Sequence, residues 1–122
     1  MKIEVPISVG ELLDKITILE IKRQHGLDTN LELDKLKDIA EKCNLPDRIG
    51  QDLKYILKSI NMACWNVEEG KRSKEIDGLF DEEFVQLARC VYMFNDERAR
   101  VKKIIDKLTD SEITEHKSHR TN

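Results

Sequence analysis

Several kinds of segment are missing from this chain of 122 residues, and each absence removes a class of function. No apolar run approaches the ~20 residues needed to cross a bilayer, and the amino-terminal MKIEVPIS lacks the apolar core of a signal peptide. A cytoplasmic protein with no membrane partner is therefore expected. The three cysteines, Cys43, Cys64 and Cys90, are odd in number, have no CxxC spacing and sit in apolar helical contexts. Free thiols in a reducing compartment are expected rather than a disulfide or metal role. No glycine-rich phosphate loop follows a strand, and GxSxG, HExxH and EF-hand patterns are absent. His25, His116 and His119 do not fall in the Glu-x-x-His pairs of a di-iron bundle, so no metal and no cofactor is expected. Without repeats, low-complexity tracts or linkers, the chain reads as one domain over 1–122, large enough to bury a single core.

Charge is plentiful but balanced. Charged residues make up 37% against 39% hydrophobic, with 21 basic and 24 acidic side chains and a formal net charge of −3. A nucleic-acid partner needs a concentrated basic surface to displace counterions, so none is expected.

Periodicity supplies the architecture. Ile3, Val5 and Ile7 alternate with Lys2, Glu4 and Pro6, an extended arm over 1–7 that Pro6 confines to an edge. Ser8 and Glu11 have the S-x-x-E spacing of a capping box, and a first helix should run from there to a left-handed stop near Gly26. Leu12, Leu13, Ile16 and Leu19 form its main stripe. Ile18 and Ile21 lie on the opposite side beside Asp14 and Thr17, so this helix should be central or shared with a second subunit. A narrow-striped second helix over about Leu31 to Cys43 should stop at Asn44-Leu45-Pro46. The third should run from about Asp47 to Glu69, with Gly70 to Gly78 as a loop, and Asp81 should cap the last, which ends at Leu108 before a flexible tail over 109–122. The fold class is thus all-α, an antiparallel bundle of three long helices and one shorter helix. Surplus apolar surface on the first and third helices points to a homodimer.

The last helix carries the feature most suggestive of function. Asn95, Arg98 and Lys102 fall on the same arc as Phe84, Leu87 and Val91, where core side chains are expected. Arginine offers a planar fork of donors and lysine a point charge, so the set fits a small anionic ligand, phosphate or carboxylate. The plain structural reading pairs Arg98 with Glu20, Asp14 or Glu68 and lets Lys102 snorkel outward. Asn61 and Glu68, on the edge of the third helix, complete either arrangement, and Trp65 beside them reads first as packing. Glu82-Glu83-Phe84-Val85-Gln86 supplies only the first half of the magnesium motif of MazG-type pyrophosphatases. Arg23, Arg98 and Lys102 resemble only loosely the cationic set of all-helical chorismate mutases.

IEVPISVGELLDKITILEIK (Ile3 to Lys22), NMACWNVEE (Asn61 to Glu69), EFVQLARCVYMFNDERARVKKII (Glu83 to Ile105) and, more weakly, EITEHKSH (Glu112 to His119) resemble a family of short bacterial proteins, domain of unknown function 6165. The resemblance implies a bacterial or phage cytosolic protein and no particular reaction. It places Asp14, Lys15, Glu20, Trp65, Asn95, Asp96 and Arg98 within the family pattern. It also reaches into the tail, implying order at Glu115, Lys117 and Ser118, although His116 and His119 stand where an acidic and an aromatic residue are expected. From this follows the expectation that Glu112 to Lys117 pairs with Ile3 to Ile7 as a two-stranded ribbon. Function reads first as a noncatalytic interaction or regulatory protein, and alternatively as a binding protein or enzyme for a small anion.

Overall fold

The computed structural model describes residues 1–43 and 47–109, with the side chains of all of these except 47–49. Four helices follow one another: α1 over Val9–Gln24, α2 over Asn30–Glu41, α3 over Asp47–Asp77 and α4 over Glu82–Leu108. No strand occurs among the described residues. The fold is all-α as the periodicity predicts.

Local chemistry accounts for the helix ends. Ser8 Oγ accepts the Glu11 N–H at 3.1 Å and starts α1. The Glu11 carboxylate turns to Lys102 rather than completing a reciprocal capping box. Gly26, at φ 87°, lets the chain reverse, and Thr29 Oγ1 then donates to the Leu19 carbonyl at 2.9 Å, tying the start of α2 back onto α1. Asp81 Oδ1 accepts the Phe84 N–H at 3.0 Å and caps α4, while the Phe80 ring meets Phe84 edge-on at 5.2 Å, an apolar clamp across the helix start.

α1 is the hub. It packs against each of the other three helices, and α3 lies along α4 as an antiparallel hairpin. Leu12, Leu13, Ile16 and Leu19 meet Leu33 of α2, Leu53 and Leu57 of α3, and Val101 and Ile105 of α4 in one core. On its other side α1 buries Ile21 and Thr17 almost completely. Its two apolar sides are thus both taken up within the bundle. Where α1 crosses α4 the backbones nearly touch: Gly10 N–H donates to Asp106 Oδ1 at 2.7 Å, and a Cβ on Gly10 would lie 2.6 Å from the Lys102 carbonyl.

Two boundaries differ from expectation. α3 does not stop at Glu69 but runs on to Asp77, because Gly70 faces Leu87 across the hairpin and Lys74 ties back to Asp81 and Glu83 at 2.9 and 3.2 Å. The polar 70–77 stretch is the exposed part of a helix, and the reversal is confined to a turn around Gly78, at φ 66°. At 31 and 27 residues, α3 and α4 are about 47 and 40 Å long against about 24 Å for α1, so the hairpin overhangs the core. The arm over 1–7 is exposed, and its expected partner, Glu112 to Lys117, lies outside the described residues.

Candidate functional site

Arg98 of α4 emerges between α1 and α3, and its surroundings are built outward from the buried Asn61. The Asn61 amide nitrogen donates one proton to Asp14 Oδ1 and the other to Thr17 Oγ1, both at 2.8 Å. The Thr17 hydroxyl in turn donates to the Asp14 carbonyl at 2.8 Å. With its amide protons committed, Asn61 can turn only its oxygen outward, and that oxygen accepts Arg98 Nη1 at 3.0 Å. Asn95, one turn back on α4, accepts Nη2 at 2.5 Å. Two neutral oxygens therefore hold the guanidinium in place. Among the described residues no carboxylate lies within 4 Å of it; Asp14 is reached only through Asn61.

The guanidinium lines a cavity of about 270 Å³ at the carboxyl end of α1, with Ile18 and Ile21 on one wall and Cys64, Trp65, Glu68 and Arg72 of α3 around it. The Trp65 indole is stacked on His25 with ring centroids 4.2 Å apart, and His25 Nδ1 is 2.8 Å from the Ile21 carbonyl, so the ring that closes α1 also backs the indole. The rim carboxylates are answered by neighbours on their own helix, Glu68 by Lys71 at 3.4 Å and Glu69 by Arg72 at 3.7 Å. Burial pushes the Cys64 thiol up, and nearby Asp14 and Glu68 add to this against the pull of Arg98. At neutral pH Cys64 is a thiol, not a nucleophilic thiolate.

Not every residue expected at the site is there. Asn61, Trp65, Glu68 and Arg98 line the cavity, with Asn95 and Asp14 bracing Arg98 directly and through Asn61. Lys102 neither snorkels nor faces the cavity: it is 5% exposed, and its ammonium meets Glu11 of α1 at 2.6 Å. Glu20 lies on the opposite flank of α1, within 3.4 to 3.5 Å of Lys37, Lys54 and Lys58. Burial opposes its charge, but the three lysines outweigh that penalty and hold its carboxyl below the ordinary glutamate value. Arg23 pairs with neither Glu20 nor the cavity and reaches Asn30 Oδ1 at 3.5 Å. The direct pairing of Arg98 with a carboxylate does not form, because Asn61 occupies the space between it and Asp14.

Thr17, His25 and Arg72 belong to the site without having been singled out for it. The signal for Thr17 was its place beside Asp14 and Ile21 on the second side of α1; Arg72 was hidden by reading 70–78 as a loop. The glutamates at the start of α4 do not form half of a magnesium site either. Glu82 accepts Gln86 Nε2 at 2.6 Å and Glu83 pairs with Lys74. Among the described residues no group of three or more histidine, cysteine or acidic side chains is arranged to hold a metal, and no helix is long and apolar enough to cross a membrane.

A family model described as "Family of unknown function (DUF6165)" matches residues 1–122. Neither a curated protein nor a solved structure matches the chain.

Proposed function

The chain belongs to the DUF6165 family, a family of unknown function, and from its own site we propose that it is a noncatalytic binding protein for a small carboxylate- or phosphate-bearing molecule. One observation carries this reading: Arg98 is held by two asparagine oxygens, opens on a cavity, and has no carboxylate within 4 Å among the described residues. Three of the five guanidinium N–H groups remain beyond those two bonds, enough for a bidentate contact with an oxyanion. Prior fixing by Asn61 and Asn95 lowers the ordering entropy that a free arginine would lose on binding. The cavity falls just under the ~300–1,000 Å³ of drug-sized sites, so the ligand is small. Ile18, Ile21 and the Trp65 ring offer its apolar or planar part a surface. The reading places the protein in the bacterial cytoplasm, where its thiols stay reduced.

A thermal-shift screen with inorganic phosphate, pyrophosphate, benzoate and nucleoside monophosphates tests it. A ligand at one hundred times its Kd stabilises the native state by about 2.7 kcal/mol, a rise of several degrees for a domain of this size. Arg98→Ala should abolish the rise without unfolding the chain. A screen in which wild type and Arg98→Ala respond alike would sink the assignment. The alternative role, action through protein association, is favoured by a separate feature, the apolar overhang of the hairpin.

A further inference from the structure

One stripe of α4 runs with strict alternating steps of three and four residues: Val85, Ala88, Tyr92, Asn95, Ala99, Lys102 and Asp106. That spacing is the seam of a left-handed helix pairing. From Ala99 onward the seam is buried, and α1 lies on it through the bonds from Gly10 to Asp106 and from Glu11 to Lys102. Before Asn95 the same seam is bare. Val85, Ala88 and Tyr92 are exposed, Tyr92 at 56%, with Ile76 at 83% and Phe80 at 60% on the same overhanging hairpin. Between Val67 and Asp96 no side chain is fully buried. A two-helix hairpin of this kind has half of a four-helix interface and no occupant for the other half.

We infer that the occupant is a second copy of this chain, packed antiparallel along α4 about a two-fold axis at Ala88. Two features of the seam fit that arrangement. The first is self-complementary size. With Ala88 facing the partner's Ala88, small side chains sit at the closest approach, where helix axes come within about 8 Å, and Val85 faces the partner's Tyr92. Small meets small and medium meets large, each pair occurring twice.

The second feature is charge. From Glu75 to Glu83 the hairpin tip carries Glu75, Asp77, Asp81, Glu82 and Glu83 and no basic residue. A parallel pairing would stack one acidic tip on the other. In the antiparallel register the residues of a facing pair sum to 177, so one tip lies opposite the partner's stretch around Arg98 and Arg100. The two tips are then separated by about 19 residues of helix, roughly 28 Å, several times the screening length of about 8 Å at physiological salt. The tip charge thereby selects direction, and the Ala88 position selects register.

Sedimentation equilibrium at tens of micromolar, followed by cysteine cross-linking, tests this. The wild-type chain should sediment at twice the mass of one 14.2 kDa chain, and Tyr92→Glu, a change at an exposed position, should sediment at the single-chain mass with an unchanged far-ultraviolet spectrum. With Cys43, Cys64 and Cys90 changed to serine, Ala88→Cys should oxidise to a disulfide-linked dimer. Val85→Cys and Tyr92→Cys should cross-link with each other when mixed but not alone. A wild-type chain that sediments as a monomer overturns the proposal, as does a dimer that Tyr92→Glu leaves intact. Faster self-cross-linking of Val85→Cys than of Ala88→Cys would overturn the register. If the serine background does not fold, sedimentation of the otherwise native Tyr92→Glu chain still decides.

Discussion

Replacing Asn61 by alanine separates a bracing network from a binding group more sharply than any change at Arg98 itself. The substitution removes three hydrogen bonds, to Asp14, to Thr17 and from Arg98. Their weights differ because their access to water differs. Asp14 is 5% exposed and faces the interior, so its carboxylate would lose a charge-assisted bond with little solvent to replace it, at about 2–3 kcal/mol. The neutral bond to Thr17 adds about 1 kcal/mol. Arg98 opens on the cavity, where water takes the place of the asparagine oxygen, and its share is small. The expected total is about 3–4 kcal/mol, a large part of the 5–15 kcal/mol typical of such a domain. Urea unfolding followed by helical circular dichroism should show this as a lower midpoint at an unchanged slope. Arg98→Ala, in the same assay, should lower stability by less than about 1.5 kcal/mol, because it deletes a half-exposed group and returns Asn61 Oδ1 to water. Equal losses for the two variants, or a loss under 1 kcal/mol for Asn61→Ala, would refute the idea that Asn61 is the structural element and Arg98 the free end.

Other substitutions address the fold around the site. Gly10→Ala should lower stability by about 2–3 kcal/mol, since its Cβ would meet the Lys102 carbonyl, a backbone atom that cannot swing aside; a melting temperature within a degree of wild type would contradict that close approach. Gly70→Ala should be neutral or raise stability by up to about 1 kcal/mol, because alanine favours the helix and the neighbour at 3.2 Å is the movable end of Leu87; a clear loss would return 70–77 to a loop or to a tighter contact. Glu20→Gln should lower stability at pH 7 by roughly 1–2 kcal/mol and leave three lysines facing one another. The folded Glu20 carboxyl titrates below its usual value of 4.5, so the advantage of wild type is whole above pH 4.5 and fades as the pH falls through the lower folded value. Paired urea titrations across pH 7 to 3 should show the gap closing; a gap that widens on acidification would reverse the assigned sign.

Much of this architecture was legible in the periodicity, and the failures have physical reasons. Serine and aspartate caps, the central α1 and the position of α4 follow from local chemistry that tertiary packing does not override. The end of α3 was missed because a glycine beside charged residues looks the same whether it breaks a helix or lets two helices touch; only Leu87 on the other strand of the hairpin distinguishes these. At the site, a helical wheel put Asn95, Arg98 and Lys102 on one face but could not say which neighbour each meets. Lys102 is claimed by Glu11 at the start of α1, a pairing 91 residues apart in sequence. Glu20 is claimed by lysines of α2 and α3, not by an arginine on its own helix. The Asn61 bridge was the least readable part, since it depends on an amide being oriented by two partners on α1 at once.

The most direct test of the central claim is nuclear magnetic resonance of the Arg98 side chain. The Arg98 Nε–H resonance, assigned by its loss in Arg98→Ala, would be followed as pyrophosphate and, separately, benzoate are added to the full chain. The account predicts a saturable shift of that resonance for at least one of the two anions, accompanied by the Trp65 indole N–H across the cavity. An Arg98 resonance that stays in place while the lysines around Glu20 respond, or no response anywhere, would contradict it.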